Sequence, residues 1–416
     1  MLRCILALAF ILLPLGRLDA QSDSAFVAWA RQAAIPLDSS GRAFRSLESA
    51  VADARLIGVG ESVHGMQQFI ELRFALLKEL VQRGRVTALI LESGLPEAIA
   101  VNDYVRGRSD SVDFTSHLGP DYSGSDVARA VIRWLRDWNR GAGKSHPVAV
   151  FGADISIGDG RSMLPALERL HEVVGSDPPV DAVLDSLRPI ASRVAAEWWN
   201  GAVRNYNALP AREKERLAAL TTRLVTVARA WRGGTSDERA WAERFALIAQ
   251  QDEVMLREGP RSADNPRDAA MAANTRWILD RLPSDERAVL WAHNAHVQRA
   301  PLEGGPLPPG ALPGMGYRLG KDLADAYFAI GTAYGGRSAD SATTPRAGSV
   351  DAALAEVSPS PFLLSLRGAP RAGAVDAWLD AKRPMRFQVG YLTLPLAGAF
   401  DAIVYVDRAS PAVKPR

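Results

Sequence analysis

The chain has 416 residues, of which 47% are hydrophobic and 23% charged, and its formal net charge is +2. At roughly 100–200 residues per domain, this length allows one large domain with insertions or two smaller ones. The composition is that of a globular protein, and the near balance of charge excludes the dense basic surfaces that bind nucleic acid or anionic membranes.

The first segment, MLRCILALAFILLPLGRLDAQSDS, carries a cation at Arg3, an apolar run from Cys4 to Leu15 and a polar stretch ending at Asp19 and Ala20. That layout predicts a secretory signal peptide over residues 1–20, because the run is too short for a membrane span. Leu18 departs from the small residue usual three positions before a cleavage site, so an uncleaved anchor is the alternative. Cys4 is the only cysteine. A chain cut after Ala20 has none, which excludes disulfides, thiolate metal sites and cysteine nucleophiles from residues 21–416. The expected location is periplasmic or secreted, with no stable membrane association after cleavage.

Strand-like runs then alternate with helix-like ones. RLIGV (Arg55 to Val59) is short, apolar and β-branched, and stops at Gly60. Phe69, Leu72, Leu76 and Leu80 follow at three- and four-residue intervals, one face of a helix. TALILE (Thr87 to Glu92) predicts a second strand, and Pro96 stands where a helix begins. Val127, Val131, Trp134, Leu135 and Trp138 form another helical stripe, followed by a strand at VAVFG (Val148 to Gly152).

From about Met163 to Leu282 the period is helical almost throughout. Strand signals return at AVLWA (Ala288 to Ala292), YFAIGTAY, FLLSL and AIVYVD, the last expected to close the sheet. The pattern predicts an α/β fold in which a mostly parallel sheet is flanked by helices, with a large helical insertion at about 160–282. Two Pro- and Gly-punctuated stretches, Arg299 to Gly316 and Ala339 to Ser349, read as linkers or as rims of a cleft.

The charged residues fall at telling places. Glu61 and His64 follow the first strand, Glu92 ends the second, Asp154 follows the third, and His293 and His296 follow the fourth. In a parallel sheet these positions share one edge, at the carboxyl ends of the strands, where open α/β sheets form their ligand crevice. Three of the six histidines lie there, each beside a carboxylate or a second imidazole, as acid–base work at neutral pH requires. Asp154 is open to two readings, a turn cap or a contact to substrate. His117, His146 and His171 lie in loops or on polar helix faces and receive no role.

No serine has glycine two residues before and two after it; Ser62, in GESVHG, comes nearest. Hydrolysis by activated water remains, needing a base, a carboxylate to orient the water and donors for the developing oxyanion. Two alternatives stay open. His293 and His296 with nearby carboxylates could hold a divalent cation such as Zn²⁺ or Mn²⁺ in a metal-dependent hydrolase or peptidase. A non-catalytic envelope protein that binds polysaccharide is the other.

GVGESVHG, FIELRFALLKELV, TALILES, FGADI, RDAAMAANTRWIL, WAHNAHV and FDAIVYVDR, in this order, resemble the erythromycin esterase family. The resemblance implies a hydrolase, not clearly metal-dependent and with no other cofactor, that opens a macrolide lactone by water attack. It implies His64 as general base, with Glu61, Arg73, Glu92, His293 and His296 as further catalytic residues. On that reading Glu61 or Glu92 holds the water, and Arg73 with His293 or His296 stabilises the oxyanion. The expected partner is a small-molecule ester or lactone, and oligomeric state is not predicted. Glu71 lies roughly 200° around the helix from Arg73, so the two cannot both face the crevice.

Overall fold

The computed structural model describes residues 15–413 apart from 39–41, 84–85, 120–121, 123, 157–161, 197–198, 260, 338–343 and 389. Most of the predicted signal segment and the first part of the 339–349 loop thus lie outside the described residues. Among the described residues there are ten strands: β1 (Ile35–Pro36), β2 (Leu56–Glu61), β3 (Val86–Gly94), β4 (Ala149–Asp154), β5 (Arg287–His293), β6 (Tyr327–Arg337), β7 (Phe362–Ser365), β8 (Lys382–Phe387), β9 (Gly390–Pro395) and β10 (Ala402–Ala409). Eight of them make one sheet in the order β1-β7-β10-β6-β2-β5-β3-β4, and β8 and β9 form a separate antiparallel hairpin.

The six strands from β10 to β4 are mutually parallel; at one edge β7 pairs antiparallel with β10, and β1 antiparallel with β7. β10 was expected to close the sheet; it lies inside it, between β6 and β7. LIGVGE in β2 is buried throughout, as in a strand covered on both faces. Alternate residues serve the two faces. Leu56, Ile90 and Leu290 pack into one core with the long helices, and Ile57, Leu89 and Val289 into another with Leu76 and Leu135.

Six helices lie between β4 and β5, from Leu164–Val174 to Pro266–Arg281, where the sequence pattern predicts an insertion. Thr235 and Glu238 close a capping box at the start of Ser236–Glu258. The last of the six, Pro266–Arg281, returns to the sheet, where Asn274 donates from Nδ2 to the Ala153 carbonyl at 2.9 Å. None of the helices among the described residues is long and apolar enough to cross a membrane.

The chain leaves β2 towards β3 and β4, crosses the helical layer, and returns to place β5 between β2 and β3. β6 then adds on the other side of β2. This reversal of direction opens a crevice at the carboxyl ends of β2, β5 and β3.

The strands run one or two residues beyond the sequence reading at that edge. Glu61 and His293 are consequently the last strand residues, and directly paired. β3 bulges between Leu91 and Gly94 before Gly94 comes level with Asp154. Gly152 of β4 makes the bulge possible, since a Cβ there would collide with the carbonyl oxygens of Ser93 and Gly94. Gly152→Ala is expected to lower the unfolding free energy by roughly 1–3 kcal/mol, the usual cost of overpacking, as measured by urea melts; an unchanged midpoint would count against this tight packing.

Candidate active site

The turn after β2 builds the first part of the site. His64 Nδ1 lies 2.8 Å from Glu61 Oε1, so the carboxylate accepts the Nδ1–H and fixes the ring tautomer. Nε2 then carries the lone pair. The His64 side chain is 26% exposed, whereas Glu61 is buried. Behind Glu61 stands Arg73, with Nη1 3.4 Å from Glu61 Oε2. Its Nη2 donates to the Ala292 carbonyl at 2.8 Å, and its guanidinium lies 5.8 Å from the Trp291 ring.

Arg73 is 0% exposed. It therefore supports Glu61 from inside the protein and does not reach an oxyanion in the crevice, the role expected from sequence. Glu71 is exposed on the opposite side of the same helix and accepts from Gln67 at 2.6 Å, in line with the angular argument.

His293 ends β5 and caps the short helix Asn294–Val297. Its Nδ1 accepts from Ala295 N–H at 3.2 Å, and its Nε2–H donates to the Ser62 carbonyl at 3.0 Å. Burial, reinforced by the neighbouring His64, pushes this imidazole well below its ordinary value of 6.5. The ring is neutral with both nitrogens committed, so His293 is a positioning residue and not an oxyanion donor. Its ring centroid lies 4.9 Å from that of His64.

Asn294 explains the middle of the HN-x-H pattern. Its side chain donates to the Thr332 carbonyl at 2.7 Å and accepts from Thr332 N–H at 3.1 Å, passing over Gly60, where a Cβ would collide with it.

His296 stands in a second cluster. Its Nδ1 is 2.8 Å from Asp268 Oδ1 and its Nε2 is 3.2 Å from Glu92 Oε1. Burial alone would lower the ring, but Asp268 and Glu92 outweigh it and raise His296 to about 10. It is an imidazolium at neutral pH. Glu92 Oε2 accepts the His293 backbone N–H at 2.7 Å, and Oε1 accepts from Arg267 Nη2 at 3.0 Å. Burial opposes ionisation of Glu92, yet His296 above all, with His64 and Arg267, holds the carboxyl well below the usual range.

Arg267 also donates to Asp154 Oδ2 from Nε at 3.0 Å and from Nη2 at 2.6 Å. Asp154 Oδ1 accepts from Ile155 N–H at 2.9 Å. Asp154 is buried and bound to Arg267, so the substrate-contact reading gives way to one in which it anchors this arginine. Burial raises its carboxyl, and Arg267 offsets that only in part. Neither Glu61 nor Glu92 has the open face that holding a water requires: the first is enclosed by His64 and Arg73, the second by Arg267, His293 and His296.

Sequence reasoning missed Arg267, Asp268 and Gln388. The first two sit in the quoted run RDAAMAANTRWIL, but at the start of a helix, where charged residues are ordinary. Gln388 lies at the turn of the unpredicted β8–β9 hairpin, with its N–H donating to the Ser62 carbonyl at 2.7 Å. Arg267 is the cation that reaches the crevice, with its side chain 24% exposed.

Ser62 is fully buried, unlike a nucleophile. The metal alternative needs an imidazole lone pair aimed at a cation. The lone pair of His293 accepts from Ala295, both nitrogens of His296 lie against carboxylates, and the Arg267 guanidinium lies between Glu92 and Asp154. Among the described residues no group of three or more His, Cys, Asp and Glu is arranged to hold a metal ion.

A family model described as Erythromycin esterase matches residues 81–409. The chain belongs to the erythromycin esterase family. It is 25% identical over 336 residues to erythromycin esterase type II of Escherichia coli, covering 76% of this chain and 78% of that one. It is 26% identical over 271 residues to erythromycin esterase type I of Escherichia coli, covering 62% of this chain and 66% of that one.

Solved structures share the fold. A Bacillus cereus protein aligns with a TM-score of 0.79 at 22% identity, over 95% of this chain and 99% of its own. An erythromycin esterase mutant in its open conformation aligns at 0.74 and 21% identity, over 91% and 96%. A succinoglycan biosynthesis protein aligns at 0.76 and 21%, over 94% and 98%. Membership in this family supports hydrolysis of an ester-type bond in a small molecule.

The charge cluster carries its own pH signature. Because His296 is raised from 6.5 to about 10, its stabilising contribution is complete below 6.5 and lost as pH rises through about 10. Stability should fall between these limits by on the order of 1 kcal/mol per pH unit. Urea melts across this range are expected to show the slope in the native chain and not in His296→Gln; equal slopes would refute a buried imidazolium. Asp268→Asn should bring the His296 titration down towards its ordinary range, as read by NMR.

Proposed function

We propose that the protein is an exported hydrolase that cleaves a carboxylic ester or lactone by attack of a water activated at His64. One observation carries this reading. A buried carboxylate holds Nδ1 of an imidazole that is 26% exposed, which suits an oriented general base.

His64 Nε2 takes a proton from water as the water oxygen bonds to the carbonyl carbon. The π electrons move onto the carbonyl oxygen, and the Arg267 guanidinium faces the charge that develops there. Collapse of the tetrahedral adduct restores the carbonyl and breaks the bond to the alcohol oxygen, which takes the proton from His64. One water is consumed, and an alcohol and a carboxylic acid form, the acid then ionising to a carboxylate with release of a proton to solvent. Glu61 keeps the Nδ1–H in place and stabilises the transient imidazolium, Arg73 holds Glu61, and Glu92 and Asp154 hold Arg267.

The names of the Escherichia coli relatives make erythromycin the first macrolide to test, and hydrolytic inactivation of such an antibiotic would confer resistance. Other lactones and acyl esters belong in the same screen, because the helical layer and the 299–316 loop that surround the crevice carry no transferable substrate code. Export is supported by the Arg3, Cys4-to-Leu15 and Ala20 pattern, and N-terminal sequencing of the protein recovered from periplasm or medium should begin at Gln21.

Mass spectrometry after reaction in ¹⁸O-labelled water is expected to place one label in the product carboxylate. His64→Gln should lower kcat by on the order of 10²–10⁴-fold, the usual contribution of a general base, with the fold retained by circular dichroism. Near-full activity in that variant would remove His64 from the mechanism.

A further inference from the structure

The turn of the β8–β9 hairpin lies directly against the Glu61–His64 segment, and nothing in the mechanism so far uses it. Gln388 is bound there twice. Its backbone N–H donates to the Ser62 carbonyl at 2.7 Å, and its side-chain Oε1 accepts from His64 N–H at 3.5 Å. The preceding residue, Phe387, places its ring 5.5 Å from that of His293. The carbonyl of Ser62 thus receives donors from the end of β5 and from the hairpin turn together.

Two features mark Gln388 as more than a turn residue. Its φ is +55°, in the left-handed region that a side chain makes costly and that glycine or asparagine fills more readily. Strain of this kind persists where the side chain is needed. The orientation of its carboxamide is also settled by chemistry, because the His64 backbone N–H can donate only to the amide oxygen. The Nε2 group is left as a pair of N–H donors on a half-buried side chain beside the base, and among the described residues it donates to no protein group.

We propose that Gln388 is a catalytic residue that donates from Nε2 to the carbonyl oxygen of the ester, and then to the oxyanion formed when water adds. The inference rests on His64 as the base. An acceptor oxygen is the partner this group fits. The attacking water sends one hydrogen to His64 and needs an acceptor for the other, which an amide nitrogen cannot provide. As the adduct forms, negative charge grows on the carbonyl oxygen and the hydrogen bond from Nε2 strengthens. The Arg267 guanidinium is the charged donor of the crevice and Gln388 the neutral one, fixed in advance by its bond to the backbone of the base. Donors held in place before the reaction are the effective kind.

The test uses the full chain with Gln388→Gly, Gln388→Asn and His64→Gln, assayed on p-nitrophenyl butyrate and on erythromycin. A butylphosphonate monoester, whose tetrahedral anionic centre mimics the adduct, serves as the binding probe by calorimetry. Gln388→Gly relieves the left-handed backbone and deletes the donor. It is expected to melt no lower than the native chain while kcat falls by about 10²–10³-fold, the effect typical of one oxyanion donor, with KM little changed. Phosphonate affinity should fall with kcat/KM, and Gln388→Asn should recover part of both.

His64→Gln should lose hydrolysis yet keep the phosphonate affinity, which separates loss of the base from loss of the donor. Retention of kcat within twofold in Gln388→Gly would overturn the proposal. So would a loss of kcat without any loss of phosphonate affinity, since that marks a hairpin acting only as support. Activity retained in His64→Gln would overturn the base reading by itself, whatever the phosphonate shows.

Discussion

A single guanidinium reconciles the charges of the sheet edge. The bulged pairing of β3 with β4 brings Glu92 near Asp154, and two buried carboxylates so placed repel. Arg267, carried by the last helix of the insertion, stands between them at 3.0 and 2.6 Å. A buried ion pair gains little over apolar packing, but removing one partner strands the other and costs about 3–5 kcal/mol. The helical layer is thereby bound to the sheet at the point where chemistry is to occur. With Glu92 fixed by Arg267, it can receive the N–H that ends β5 and the ring of His296.

Three histidines share this edge, each in different surroundings. His64 is held at Nδ1 by Glu61 and is partly exposed. His293 is buried and kept neutral, with both nitrogens used in local geometry. His296 lies between Asp268 and Glu92, which keep it charged. Environment rather than residue type separates a neutral imidazole from a charged one, a familiar way for one site to carry more than one protonation state at one pH. The erythromycin esterase fold provides these environments by using strand ends for the first two rings and a helix N-terminus for the partner of the third.

Much of this edge was legible in the sequence, because buried parallel strands are short apolar runs and the residues that break them are conspicuous. Glu61, His64, Glu92, Asp154, His293 and His296 could each be placed there by counting from such a run. Arg73 was legible as a residue of the site but not as an interior one; its depth depends on the approach of its helix to Trp291, a distance that periodicity does not encode. Arg267 and Asp268 were hidden by their place in a charged helical stretch, where a functional residue looks like any solvated one. The hairpin was hidden for a different reason. KRPMRF contains three cations and a proline, a pattern opposite to that of the buried strands, and it forms a strand only against its partner β9.

The Glu61–His64 pair is local, three residues apart, yet the groups that turn it into a site come from far along the chain. The Ser62 carbonyl waits for a residue 231 positions later, and the His64 backbone for one 324 positions later. Contacts of such separation form late, after the loop-closure entropy of the whole intervening chain has been overcome. A chain that has not made these contacts holds the Glu61–His64 pair without the hairpin and strand that surround it. On the proposed mechanism turnover requires these distant segments to have met, which makes it a report on the completeness of the molecule as well as on its chemistry.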